Sequence, residues 1–154
     1  MCIRDRCKSY PLSRGQVRLA SPDATAAPLI EPNLLGDERD VDTLVKALSM
    51  VRRIVSTRPL ADMLSEEVEP GPGITSERSL RDYVKDRSGI GHHAAGTCRM
   101  GPDDSDIVTP ELKVRGLENL WIADASIMPD MISGNLNATC MMIGEKAGRM
   151  LSRL

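Results

Sequence analysis

Between Asp40 and Arg58 the apolar residues Val41, Leu44, Val45, Leu48, Val51 and Val55 recur at i, i+3, i+4 and i+7 spacing. That period gathers them on one face of an α-helix, and a face so apolar has to be covered by another part of the chain. The segment "DVDTLVKALSMVRRIVSTR" (40–58) is therefore expected to be a core-facing helix, capped by Asp40 and ended by Pro59.

The remaining segments give a mixed pattern. "SRGQVRLAS" (13–21) alternates Val17 and Leu19 with Gln16, Arg18 and Ala20, which predicts a half-buried strand. "PDATAAPLIEPN" (22–33) carries three prolines in twelve residues and reads as extended loop. "EVEPGPGITSE" (67–77) is a breaker-rich loop, after which Ser76 can cap a short helix with Leu80, Tyr83 and Val84 on one face and Gly89 beyond its end. "PELKVRG" (110–116) and "NLWIAD" (119–124) read as strands. "NATCMMIGEKAGRMLSRL" (137–154) reads as a closing helix with Ile143, Ala147, Met150, Leu151 and Leu154 on its buried stripe. The expected class is α/β (α+β), a mixed sheet with packed helices. With no Phe, one Trp and two Tyr, the core must be built from Leu, Val, Ile and Met.

At 154 residues the chain is long enough for one domain with a real core. A net charge of −2 gives no basic footprint, so nucleic acid is not an expected partner. No apolar run reaches the ~18 residues of a membrane span, so no transmembrane segment is expected. Cys2, Cys7, Cys98 and Cys140 contain no CxxC pair, which favours reduced thiols and a cytoplasmic setting over a disulfide framework. The opening "MCIRDR" lacks the apolar stretch of a signal peptide and resembles a translated sequencing-library adapter. Residues 1–6 are accordingly expected to be artefact, with the natural protein beginning upstream.

"GHHAAGTCRMG" (91–101) holds both histidines of the chain and one cysteine. Three readings compete: metal ligands, a catalytic base, or structural histidines. Adjacent histidines project differently, and Cys98 and Cys140 have no partners at ligand spacing, so no metal site is expected. Spacing alone does not choose between His92 and His93 as a base.

Taken in order, "SRGQVRL", "APLIEPNLL", "HHAAGTCRMG", "PELKVRGLENLWIADASIMP" and "SGNLNATCMMIGEKAGRML" resemble the C-terminal region of glucose–methanol–choline (GMC) flavin oxidoreductases, in the bacterial alcohol and choline dehydrogenase branch. The resemblance covers nearly everything after residue 7. It implies an FAD-dependent enzyme acting on the CH–OH group of an alcohol or choline-like substrate. Such a reaction removes a hydroxyl proton and a hydride from the adjacent carbon; the flavin takes the hydride and a protein base takes the proton. By the resemblance that base is His93, three residues before Gly96–Thr97, and His92 lines the substrate pocket. Asn135 matches the position opposite the base, where an amide can donate to the substrate oxygen as charge develops. Asp124, Ala125, Asn135, Leu136 and Asn137 match positions that contact FAD, and the N-terminal N–H groups of the last helix can favour a reduced, anionic ring.

The Gly-rich G-x-G-x-x-G fingerprint that grips a dinucleotide pyrophosphate is absent from these 154 residues. The expected organisation is residues 7–90 as a substrate-cap portion and residues 91–154 as an active-site and FAD-contacting segment. The expected partner is an N-terminal FAD-binding domain of the same protein, without which the chain would be inactive. Oxidase and dehydrogenase chemistry, and with them the electron acceptor, stay open. A reading from another class is a non-catalytic truncated or interaction domain without bound FAD. Cys98 and Cys140 are expected as buried small hydrophobes, and Met128, Met131, Met141 and Met142 as core and pocket lining.

Overall fold

The computed structural model describes residues 8–153. The reading of residues 1–6, Cys2, Cys7 and the buried role of Leu154 lie outside the described residues. Among the described residues the regular structure is three α-helices, two 3₁₀ turns and one two-stranded sheet, an α+β arrangement. The chain divides into two compact units: residues up to Gly15 with Glu31–Gly89, and Gln16–Ile30 with Ile90–Leu154.

In the first unit, helix α1 (Glu38–Val55) follows the apolar period that predicts it. Val41 and Leu48 are buried, and Leu44, Val45, Val51 and Val55 are half-buried. The cap is Asp37 rather than Asp40: its carboxylate accepts from Arg39 N at 2.9 Å. Asp40 lies one turn further in, on the same face as Leu44 and Leu48, and is 1 % exposed. Its carboxylate accepts from the backbone N–H groups of Leu12 and Ser13 and from Ser13 Oγ at 2.6 Å, and pairs with Lys8. Burial alone would push this carboxyl up, but those donors outweigh it and hold it well below the ordinary carboxylate range.

Helix α1 stops at Val55, short of Pro59, and a single 3₁₀ turn (Leu60–Met63) follows. Arg52 then organises the breaker-rich loop, donating to Glu67 and to the carbonyls of Ile74 and Gly71. Helix α2 (Glu77–Arg87) is capped as expected by Ser76, whose Oγ accepts from Ser79 N at 3.1 Å. Leu80 and Val84 are buried towards α1, and Arg81 and Lys85 reach across to Glu38 and Asp42.

The second unit departs further from the expectation. Strand β1 (Gln16–Arg18) and strand β2 (Leu29–Glu31) pair as a ribbon, each three residues long and exposed throughout. Val17 and Leu19 are thus at the surface and not half-buried. Strand β2 falls in a segment expected as loop; Pro28 and Pro32 bracket it without interrupting it, so its three N–H groups survive. Residues 110–116 and 119–124 do not form strands. Only isolated bridges occur, Val108 with Val114 and Lys113 with Trp121, because left-handed residues at Leu112, Gly116 and Asn119 turn the chain before a ladder can extend.

Helix α3 (Asn137–Leu151) buries Ile143 and Ala147, but Met150 and Leu151 in its last turn are exposed. Its buried face is therefore one turn shorter than expected. It closes a core of Val108, Leu112, Ile127, Met128, Leu136, Ile143 and Ala147. Cys98, Cys140 and Met131 pack partly against that core, and both thiols are free. Met141 and Met142 face outward instead. No described helix is long and apolar enough to cross a membrane.

Candidate active site

The segment that carries both histidines has no helix or strand of its own, so its position must come from backbone bonds to a neighbour. That neighbour is a 3₁₀ turn, Ala125–Ile127, which follows directly on Asp124. Gly96 N donates to Ala125 O at 3.2 Å, Cys98 N to Ser126 O at 2.9 Å and Met100 N to Ile127 O at 2.9 Å. Donors at every second residue thus meet successive carbonyls, and three rungs lay the end of the histidine segment along the turn. Gly96 sits in the left-handed region (φ 81°), and a Cβ there would come within 3.2 Å of Met128 O. Glycine suits both the conformation and the close approach.

His93 is half-buried at the head of this ladder, while His92 beside it is exposed and left-handed (φ 60°). Neither ring hydrogen-bonds to another described residue. Among the described residues no three His, Cys, Asp or Glu side chains gather closely enough to hold a metal ion.

Asp124 caps the 3₁₀ turn, its Oδ1 accepting from Ser126 N at 2.8 Å and from Ser126 Oγ. The carboxylate thereby fixes the turn that supplies the three carbonyl acceptors. Ala125 is half-buried and packs against the core. The same core reaches the last helix: Ile127, Met128 and Leu136 belong to one buried cluster, with Leu136 5 % exposed at the α3 N-cap.

Asn135 precedes that cap and is exposed. Its Oδ1 accepts from Asn137 N at 3.0 Å, so its amide NH₂ is the end left to donate. The first intrahelical bond is Cys140 N to Leu136 O, which leaves the N–H groups of Ala138 and Thr139 without a partner among the described residues. Three donors therefore stand together at the start of α3, at the positive end of its dipole.

The structure thus brings the 96–100 segment beside Asp124 and Ala125, and joins their turn to Leu136 through the core. No hydrogen bond ties His93 to Asn135. Two contributors escaped the sequence reading, the Ser126 grip on Asp124 and the alternate-residue ladder, since neither carries a periodic or motif signal. A third is a buried carboxylate, Asp106, 4 % exposed and bound to Arg99.

Comparison with known proteins bears on this region. The family model described as GMC oxidoreductase, in its C-terminal form, matches residues 11–144. An alcohol dehydrogenase [acceptor] of Pseudomonas putida is 39 % identical over 147 residues, covering 96 % of this chain and 27 % of the relative. An oxygen-dependent choline dehydrogenase of Klebsiella pneumoniae is 42 % identical over 134 residues, covering 87 % and 24 %. Among solved structures, pyridoxine 4-oxidase from Mesorbium loti superposes with a TM-score of 0.83 at 34 % identity, over 95 % of this chain and 28 % of that one. An FAD-dependent oxidoreductase from Chaetomium thermophilum gives 0.82 at 27 % identity, over 94 % and 25 %. The chain spans about a quarter of the length of the relatives it matches.

Proposed function

The chain belongs to the GMC oxidoreductase family, and we propose that it forms the active-site portion of an FAD-dependent enzyme oxidising the CH–OH group of an alcohol or choline-like donor, with His93 as general base. The observation that carries this reading is the three-rung ladder, which sets the His93 segment along the Asp124–Ile127 turn with α3 joined through the same core.

The residues at the start of α3 suit a flavin. Free N–H groups at Ala138 and Thr139 offer donors to a polar ring edge, and the helix dipole favours one that becomes anionic. Asp124, Ala125, Asn135, Leu136 and Asn137 are the residues that would hold it, in company with a dinucleotide-binding portion of the same protein. Bound there, FAD supplies the hydride acceptor. His93 takes the hydroxyl proton on its unbonded ring nitrogen as the carbinol hydride leaves. The Asn135 amide donates to the same oxygen and steadies the negative charge without accepting the proton. His92, exposed beside the base, lines the substrate side.

The test is a hybrid in which this chain replaces the matched quarter of the Pseudomonas putida alcohol dehydrogenase [acceptor]. Anaerobic stopped-flow reduction of bound flavin by excess alcohol should slow by orders of magnitude in His93→Ala with flavin content retained. Retained reduction in His93→Ala, with loss in His92→Ala, would transfer the role to His92.

A further inference from the structure

A ladder of three backbone bonds needs its register fixed, because a slip of one residue in extended pairing turns every side chain over. The structure fixes it immediately beyond Met100. Arg99 O accepts from both Ile107 N (3.1 Å) and Val108 N (3.2 Å), and Gly101 N donates to Val108 O at 3.0 Å. Beneath this knot lies Asp106. Its Oδ1 accepts from Arg99 Nε at 2.7 Å and Nη2 at 2.6 Å, and its Oδ2 accepts from Asp103 N at 3.0 Å. A Cβ on Gly101 would land on this carboxylate, far inside van der Waals contact. Asp106 is held by three bonds and cannot step aside. The glycine is what lets the carboxylate sit there.

We propose that Asp106, acting through Arg99 and seated against Gly101, is the positioning residue that fixes the register of the His93 segment along the Asp124–Ile127 turn. The inference rests on His93 as the base and deepens that reading. Arg99 and Gly101 flank Met100, whose N–H makes the last rung to Ile127 O. Clamping the residues on either side of the last rung holds the two rungs before it in phase, and His93 stands three residues ahead of the first. Each rung by itself contributes little, since a backbone bond within reach of solvent exchanges one partner for another with a small net gain. The paired guanidinium–carboxylate contact supplies the directional hold that the ladder lacks. Asp106 touches no substrate, and its effect on chemistry runs entirely through geometry.

The experiment compares Asp106→Ala, Gly101→Ala and the double variant. Hydrogen exchange on the full chain reads the ladder, and flavin reduction in the hybrid reads the chemistry. Cys98 and Met100 amides should exchange at least about tenfold faster in each single variant. The reduction rate per bound flavin at saturating alcohol should fall roughly 10²-fold, the scale of an ångström of misplacement. The alcohol KM should hold, because the base and the substrate side are unchanged and only the placing of the base is lost. The double variant should be no worse than either single one, since both remove the same seat. Arg99→Lys, which keeps a charge for Asp106, should recover part of what Arg99→Ala loses.

The proposal is overturned if exchange at Cys98 and Met100 is unchanged or if the rate per bound flavin stays within twofold. It is equally overturned if the two single losses multiply in the double variant. Loss of folding would lower flavin content and leave the rate per bound flavin alone, which also counts against positioning. Full reduction in His93→Ala would remove the base and leave the exchange comparison to decide the register lock.

Discussion

Each unit is held together internally by its own means. In the first, α1 and α2 meet through side chains: Val41, Leu48, Leu80 and Val84 are buried, and Arg81 and Lys85 bridge to Glu38 and Asp42. In the second, residues 96–128 have almost no regular structure and are held by backbone bonds between irregular segments, three of them from 96–100 to 125–127. Regular helices present side chains at fixed intervals along an axis. A backbone-bonded loop can set one residue, here His93, at a place no helical or strand register offers. The candidate chemistry lies in the region built the second way.

The sharpest way to break this contrast is at the base. His93→Ala in the hybrid should slow flavin reduction by about 10²–10⁴-fold, or roughly 2.7–5.4 kcal/mol of barrier. His92→Ala should cost visibly less, and an equal loss in both would mean that the two histidines act as a pair.

Core truncation should separate the units next. Leu48→Ala in α1 and Ile143→Ala in α3 should each cost about 2–5 kcal/mol in denaturant unfolding. In hydrogen exchange Leu48→Ala should loosen α1 and α2, whereas Ile143→Ala should loosen Cys98 and Met100. Matching exchange profiles in the two variants would show one cooperative unit in place of two.

A smaller effect is expected at Asp40. Asp40→Ala strands the N–H groups of Leu12 and Ser13 and should cost about 1–3 kcal/mol. Its carboxyl, like that of Asp106, is held below the ordinary 3.8 in the folded chain. For Asp106, burial pushes upward, and the bonds from Asp103 N and Arg99 outweigh it. The unfolded chain then binds more protons in acid, so this stabilisation is complete above about pH 5 and drains away as pH falls below about 4. Acid titration of unfolding should show a shallower slope in Asp40→Ala than in wild type. The least effect is expected from Cys98→Ser and Cys140→Ser. They should leave turnover of the hybrid essentially unchanged, and a large loss with the fold intact would give the thiols a chemical role.

Legibility in the sequence follows the same division. Helices α1, α2 and α3 were readable because Val41, Leu48, Leu80, Val84, Ile143 and Ala147 mark a 3.6-residue period, and Ser76 stands where a cap belongs. Asp40 misled because a capping residue type had been placed on the buried face, and Asp37 three residues earlier took the terminus. Segments 110–116 and 119–124 have strand composition, but the left-handed turn at Leu112 leaves no signal in side-chain type. Gly116 and Asn119, by contrast, are residue types that favour the left-handed region, a turn signal that the strand composition overrode. The histidines, Asn135 and Asp124 were legible only through the family resemblance. The ladder and the Asp106 seat were not legible at all, since backbone bonding between distant segments writes nothing into local composition.

The β1–β2 ribbon has a consequence for handling the protein. Each strand has a single neighbour, and Val17, Leu29 and Ile30 lie at the surface with it. Such an edge is a template on which a further chain can stack in solution. Concentrated stocks should therefore lose protein to β-rich self-association nucleated at residues 16–31. Ile30→Lys, a charge set on that edge far in sequence from His93, should keep the material dispersed.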